Sequence, residues 1–183
     1  MMNDKILVTY ASRAGSTAGV AEAIGKTLAE SAAGYSGAQV DVLPMQEVKD
    51  LAPYRAVVAG SAIRGGKWLP EAMQFMKTHQ AALAHKPFAA FMVCITLAMP
   101  GAEKFREGVA GWMQPVRALV KPMSEGLFAG VLDFSKLPTN FATLKLRATV
   151  AAGVFPQGDH RDWNAIQAWA RDLAAKFQPA VSK

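Results

Sequence analysis

The chain has 183 residues, 51% of them hydrophobic, and its twenty lysines and arginines outnumber its fourteen aspartates and glutamates. This size suits one domain over residues 1–183, because neither a linker nor an internal repeat divides the sequence. No apolar run approaches the ~20 residues of a membrane span, and the start lacks a signal-peptide pattern. Because Cys94 is the single cysteine, an internal disulfide and a multi-cysteine metal cluster are excluded. We therefore expect a cytoplasmic protein, soluble or peripheral to the inner face of the membrane.

Apolar strands alternate with helices along the chain. The predicted strands are Lys5–Tyr10, Gln39–Leu43, Ala56–Gly60, Phe88–Ile95 and Gly126–Leu132. The predicted helices are Ser16–Ala32, Pro70–Ala84, Glu103–Val120 with a break near Pro115, and Asp162–Phe177, while Gly34–Gly37 is predicted to form a turn. Such alternation is typical of a parallel sheet covered on both faces. We predict an α/β fold with three layers: a doubly wound, five-stranded parallel sheet in the order 2-1-3-4-5.

The net charge of +6 favours anionic partners, although a solvated basic surface without function explains it equally well. The chain has no block of like charges, and its aromatic residues are not interleaved with basic ones. We therefore expect no nucleic-acid partner.

The loop after the first predicted strand is rich in hydrogen-bond donors. It contains Ser12, Arg13, Ala14, Gly15, Ser16 and Thr17. The N–H groups of the following helix start have no partner within the helix and carry partial positive charge, so the loop is suited to hold an anion. It is neither a Walker loop nor the G-x-G-x-x-G dinucleotide fingerprint. A hydroxyl residue that only caps an ordinary helix remains the alternative.

Two further loops meet this one in the predicted fold, because ligands of doubly wound sheets bind at the carboxyl ends of the strands. The third strand continues into a loop that contains Ser61, Ala62, Ile63, Arg64, Gly65, Gly66 and Trp68. Trp68 could stack on a flat aromatic ring, or it could anchor the start of the next helix. The fourth strand continues into Ile95, Thr96, Leu97 and Ala98, whose backbone could contact the polar edge of such a ring.

Four stretches resemble the flavodoxin-domain family that includes the menaquinone-dependent protoporphyrinogen dehydrogenases. They are Ser12–Thr17, the run Gly60-Ser-Ala-Ile-Arg-Gly-Gly66, Phe128–Leu132, and Asp162-Trp163. The resemblance implies a flavodoxin-like fold that binds flavin mononucleotide (FMN) through the first loop, with the other two loops enclosing the ring. It also implies an oxidoreductase that exchanges electrons with a small molecule, a quinone or a protoporphyrinogen-like substrate. No catalytic side chain is expected, because the flavin itself carries out the redox chemistry.

The sequence also departs from that family. Gly65 stands where the resemblance implies a tyrosine, Ala14 where a carboxylate is frequent, and the segment after the fifth strand has few arginines. Two alternatives therefore remain open: a flavodoxin-type electron carrier, or a flavin-free binding or regulatory module on the same fold. Peripheral contact with a membrane and a homodimer also remain open.

Asp133 to Gln157 form an unusually long connection between the fifth strand and the last helix. Connections above ~12–15 residues are usually functional or disordered, and this one is too hydrophobic to favour disorder. Phe141, Leu144 and Ala148 fall near one helical face. We expect the segment to cap the core and to form one wall of a substrate cleft.

Overall fold

The computed structural model describes residues 5–32, 39–136, 139 and 141–178, and a parallel sheet forms its centre. The strands are β1 (Lys5–Ala11), β2 (Val40–Pro44), β3 (Tyr54–Arg64), β4 (Lys67–Trp68), β5 (Phe88–Cys94), β6 (Ser124–Ala129), β7 (Val131–Leu132) and β8 (Gly158–Asp159). The α-helices are α1 (Ser16–Ala32), α2 (Pro70–Thr78), α3 (Gln80–Ala84), α4 (Arg106–Gly111), α5 (Gln114–Leu119), α6 (Phe141–Ala151) and α7 (Trp163–Lys176). Short 3₁₀ helices span Met45–Glu47, Ile95–Ala98, Ala102–Phe105 and Phe134–Lys136.

Within the described residues, five parallel strands lie in the order β2-β1-β3-β5-β6. The short β4 pairs antiparallel with the end of β3 and lies off this path. Numbered without β4, the order is the predicted 2-1-3-4-5, so the predicted α/β architecture is confirmed. The strands β7 and β8 form a separate two-stranded sheet beside the carboxyl end of β6.

Alternating side chains of the sheet contribute to two hydrophobic cores, one on each face. Leu7 and Val57 belong to the core that α2, α3, α4 and α5 cover, while Ile6 and Val8 belong to the core that α1 and α7 cover. Residues on successive strand positions point to opposite faces, which explains this division. Burial of each such aliphatic side chain contributes about 1.5–3 kcal/mol. The sheet is therefore packed against helices on both faces.

Several elements differ from their predicted bounds for local reasons. The predicted helix Pro70–Ala84 is divided at His79 into α2 and α3. The predicted helix Glu103–Val120 breaks at Trp112 and Met113, before Pro115, because proline occupies the first turn of α5 without losing a hydrogen bond. The predicted turn Gly34–Gly37 lies outside the described residues.

The last helix begins where the sequence indicates. Asp162 is the N-cap of α7, and its carboxylate accepts a hydrogen bond from the Ala165 N–H at 3.0 Å. No helix in the described part of the chain is long and apolar enough to cross a membrane.

Candidate functional site

The carboxyl ends of β1, β3 and β5 open into one cleft of about 180 Å³. Its lining comprises Arg13, Ala14, Ser16, Ala62, Ile63, Arg64, Val93, Cys94, Ile95, Gly130, Val131, Leu132 and Leu146. Members of all three predicted loops are among them. The prediction that these loops converge is therefore confirmed. Apolar side chains and two arginines line the cleft, and none of its described lining residues is acidic.

The loop between β1 and α1 is folded around its own hydroxyl and glycine residues. The Ser12 Oγ accepts a hydrogen bond from the Gly15 N–H at 3.1 Å. Gly15 has a φ of 86°, in the left-handed region where a side chain would be strained, and no atom lies within 4 Å of the position that a Cβ would occupy there. An anion can therefore approach this part of the backbone closely.

The first turn of α1 contains a buried hydroxyl without a partner. Thr17 is 0% exposed, and its Oγ1 forms no hydrogen bond within the described residues. Such a group costs free energy unless a ligand or water satisfies it. Because the hydroxyl adjoins the unpaired N–H groups of the helix start, an anionic oxygen would satisfy both.

Arg13 is the charged residue of this loop, and it is bound to a residue far along the chain. Its Nη2 donates to the Glu71 Oε2 at 3.2 Å, with side-chain exposures of 55% for Arg13 and 20% for Glu71. Glu71 lies in the first turn of α2, where the helix dipole favours a negative charge. Glu71 could not be identified from the sequence, because an ion pair between residues 13 and 71 leaves no local pattern.

The segment after Gly60 is a β-hairpin rather than the predicted loop. The strand β3 continues to Arg64, and Arg64 and Ile63 pair with Lys67 and Trp68 of β4. The turn consists of Gly65 and Gly66, with φ values of 55° and 72°. Two adjacent residues with positive φ are the requirement of a type I′ hairpin turn, so the glycines close this hairpin.

Four predicted site residues of this hairpin do not line the cleft, namely the two turn glycines, Ser61 and Trp68. Ser61 is 0% exposed, and its Oγ accepts from the Leu69 N–H at 3.0 Å and donates to the Ala62 carbonyl. Trp68 is 4% exposed and belongs to the core under α2. The structure thus corrects these assignments: the glycines close the hairpin, Ser61 links β3 to the start of α2, and Trp68 is the helix anchor that the alternative interpretation describes.

The third loop, Ile95–Ala98, is a 3₁₀ helix of which only Ile95 lines the cleft. Leu97 packs against the core, and the backbone N–H groups of Thr96 and Leu97 hydrogen-bond to the Cys94 sulfur. Burial raises the pKa of the Cys94 thiol, and these hydrogen bonds offset the rise only in part. The thiol therefore stays protonated at neutral pH, as expected of an inert cysteine.

The remaining wall comes from the long connection after β6. Gly130, Val131, Leu132 and, from α6, Leu146 line the cleft. Leu146 belongs to the segment Asp133–Gln157 that was expected to form a wall of the cleft. The sequence analysis assigned Gly130–Leu132 to the fifth strand instead, but β6 ends at Ala129. Gly130 is held in position because its carbonyl accepts a hydrogen bond from the His160 N–H at 3.1 Å.

The fold and the cleft define a doubly wound α/β protein whose loop after β1, rich in hydrogen-bond donors, lies at the switch point of the sheet. The sequence matches the family model described as Flavodoxin domain over residues 7–147. The chain therefore belongs to the flavodoxin-domain family. No curated protein matches the sequence.

Solved flavodoxins share the fold. The Streptococcus pneumonia TIGR4 flavodoxin superposes with a TM-score of 0.57 at 17% identity, covering 94% of this chain and 99% of that one. Oxidised Flavodoxin 2 from Bacillus cereus gives a TM-score of 0.57 at 20% identity, with coverages of 94% and 99%. The Fusobacterium nucleatum flavodoxin, solved bound to flavin mononucleotide, gives 0.55 at 11% identity, with coverages of 95% and 99%.

Proposed function

We propose that this protein binds FMN noncovalently and acts in redox chemistry. The observation that carries the proposal is the buried, unpartnered Thr17 hydroxyl at the start of α1, beside the open backbone of Gly15. Membership of the flavodoxin-domain family supports the same cofactor. FMN is a phosphate monoester with a flat ring, so one end of it requires donors and the other requires an apolar wall.

The residues that line the cleft, and the buried Thr17 beside them, fit these two requirements. The Thr17 hydroxyl, the N–H groups at the start of α1 and the Ser16 hydroxyl would hold the phosphate. Ala62, Ile63 and Ile95 would enclose the ring from the ends of β3 and β5. When bound, the flavin supplies one- and two-electron transfer. Arg64 is exposed and lines the cleft, so its guanidinium would offset the negative charge of a reduced ring.

The substrate is proposed to be a small molecule, either a quinone to be reduced or a protoporphyrinogen-like compound to be oxidised. Leu146 supports this choice, because it lines the cleft together with Val131 and Leu132, and these apolar side chains would give a planar substrate a surface to pack against. A flavodoxin-type electron carrier would not require that wall. A flavin-free binding module would not require the Thr17 hydroxyl to stay unpartnered.

The cofactor is tested by comparing FMN with riboflavin, which lacks the phosphate. We expect the purified protein reconstituted with FMN to show a flavin absorption spectrum and to bind FMN far more tightly than riboflavin in fluorescence-quenching titrations. Thr17→Ala should weaken FMN binding by about 1–3 kcal/mol, because it removes a hydrogen bond to a charged group. Riboflavin binding should not change.

Thr27→Ala is the matched control. Thr27 lies on the same helix and is nearly as buried, but its hydroxyl donates to the Ala23 carbonyl at 2.8 Å and is remote from the loop. This variant should keep the affinity of the parent for FMN. Equal affinity of the parent for FMN and riboflavin would show that the loop Ser12–Thr17 does not bind the phosphate.

A further inference from the structure

The hairpin of β3 and β4 holds two cations directly opposite each other. Its register pairs Arg64 with Lys67, and both side chains are exposed. Neither side chain forms an ion pair or a hydrogen bond with another residue in the part of the chain that the structure describes. Like charges directly opposite each other destabilise an antiparallel strand pair. The hairpin therefore has an electrostatic cost that no described residue offsets.

The backbone that carries these cations is supported from one side and open at its tip. Trp68 is 4% exposed and fixes β4 in the core. The Trp112 Nε1 lies 3.0 Å from the position that a Cβ of Gly66 would occupy. At Gly65, by contrast, no described atom lies within 4 Å of the corresponding position. A group from solvent can therefore reach the tip of a hairpin that is itself held in place.

The cleft beside the hairpin concentrates positive potential. Arg64 and Arg13 line it, and none of its described lining residues is acidic. Because Arg13 is paired with Glu71 at 3.2 Å, Arg64 is the lining cation without a counter-charge among the described residues. Apolar walls focus the field of such a charge and raise the local concentration of ligands of opposite sign. Lys67 does not line the cleft, so it adds its charge outside the lining surface.

We propose that Arg64 and Lys67 select a substrate that carries an anionic group, a carboxylate or a sulfonate, on a planar ring system. The proposal rests on the proposed function and names the substrate class of the same site. The planar part would pack against the apolar side chains of the cleft, and the anionic group would accept hydrogen bonds from the guanidinium and the ammonium group. The phosphate of FMN does not replace this anion, because the donors proposed for it lie at the start of α1. A neutral quinone leaves both cations without a partner.

The experiment compares two probes of nearly equal shape, naphthalene-2-carboxylate and naphthalene-2-carboxamide, which differ in charge and exchange no electrons with flavin. Their dissociation constants are measured by calorimetry at neutral pH and low ionic strength with the full-length, FMN-loaded protein. The parent should bind the carboxylate about tenfold more tightly than the amide. Arg64→Gln should lower this preference about fivefold, as expected from one charge at short range near water.

Lys67→Gln should lower the preference less, because Lys67 does not line the cleft. The double variant should bind the two probes about equally. In the parent the preference should also weaken in about 1 M sodium chloride, where the Debye length is about 3 Å. Neither single variant should have a lower melting temperature than the parent, because each removes one of two opposed cations.

Lys121→Gln is the matched control. Lys121 is exposed and precedes β6, so it lies toward the amino edge of the sheet, away from the cleft at the carboxyl ends. The substitution changes the net charge by the same amount as the hairpin variants. It should keep the preference of the parent for the carboxylate.

The proposal is overturned if the parent binds both probes equally, if Arg64→Gln keeps the preference, or if Lys121→Gln lowers it as much. Lower melting temperatures of both hairpin variants would also overturn it, because the two cations would then stabilise the fold. Failure of the proposed function has a different signature. In that case the parent would bind FMN no better than riboflavin, whatever its preference between the two probes.

Discussion

The two walls of the cleft are built in different ways. On the phosphate side, α1 packs Val20, Ala21, Ile24 and Leu28 into the core, each of them 0% exposed. On the opposite side, α6 buries Thr143 among its described side chains, and its Leu144 is 64% exposed. One wall belongs to the folding core, and the other lies on the surface of the molecule.

This difference separates two tasks. Holding a phosphate requires donors fixed to within a few tenths of an ångström, which a helix anchored by a buried apolar face provides. Contacting a substrate requires surface that can differ between relatives, and loops and their short helices tolerate such change. We expect changes on α1 to alter stability and changes on α6 to alter reactivity.

The largest expected effect is on stability. Ile24→Ala should lower the free energy of unfolding by about 2–5 kcal/mol, because it leaves a cavity in the core. Leu144→Ala removes an exposed side chain of similar size and should change the free energy of unfolding by less than about 0.5 kcal/mol. Urea unfolding followed by circular dichroism measures both. Similar losses in the two variants would show that α6 is part of the folding core after all.

A smaller effect is expected on reactivity when α6 is removed. Deleting residues 139–151 should slow the reoxidation of reduced flavin by a soluble quinone by about tenfold or more, because the substrate loses one wall and its orientation. FMN affinity should change much less, since the deletion leaves the loop Ser12–Thr17 intact. Stopped-flow absorbance after anaerobic photoreduction measures the rate.

Two point variants make the same comparison without a deletion. Leu146→Ala should slow the quinone reaction, because Leu146 lines the cleft. Leu144→Ala is the control, because Leu144 is exposed and does not line the cleft. If the deletion variant reacts as fast as the parent, α6 is not part of the active site.

The regular parts of this molecule could be predicted from the sequence. Helix α1 has the predicted bounds Ser16 and Ala32, and β5 is buried along its whole length, as its continuous apolar run indicates. The convergence of three loops followed from the topology alone, because parallel strands end at the same edge of the sheet.

The orientation of single side chains could not be predicted in the same way. Whether Ser61 and Trp68 face the cleft or the core depends on how far β3 continues and on the register of its hairpin. That register pairs Ile63 with Trp68 only because Gly65 and Gly66 form a two-residue turn. The Arg13–Glu71 pair likewise depends on how α2 packs beside β1, which no local pattern specifies.

The smallest predicted effect concerns His79, which lies at the break between α2 and α3. These helices cover the face of the sheet opposite to α1 and α7. The ring of His79 packs against Phe75 with 4.7 Å between ring centroids. Burial lowers the pKa of His79 from its usual 6.5, and the charge of Asp50 opposes this shift only in part. In the unfolded chain the histidine is solvated and protonates more readily.

Stability should therefore fall as the pH decreases through about 6.5, because the unfolded chain then binds a proton that folded His79 resists. The loss should level off once the folded protein is also protonated at His79. His79→Asn removes this term, so its urea midpoint should fall less than that of the parent between pH 7.5 and pH 5, two values chosen to bracket the usual histidine pKa. His85→Asn, which replaces an exposed histidine on the same side of the molecule, controls for the loss of a histidine as such. Parallel decreases in the parent and His79→Asn would show that burial of this ring at the break between α2 and α3 has no influence on the acid stability of the fold.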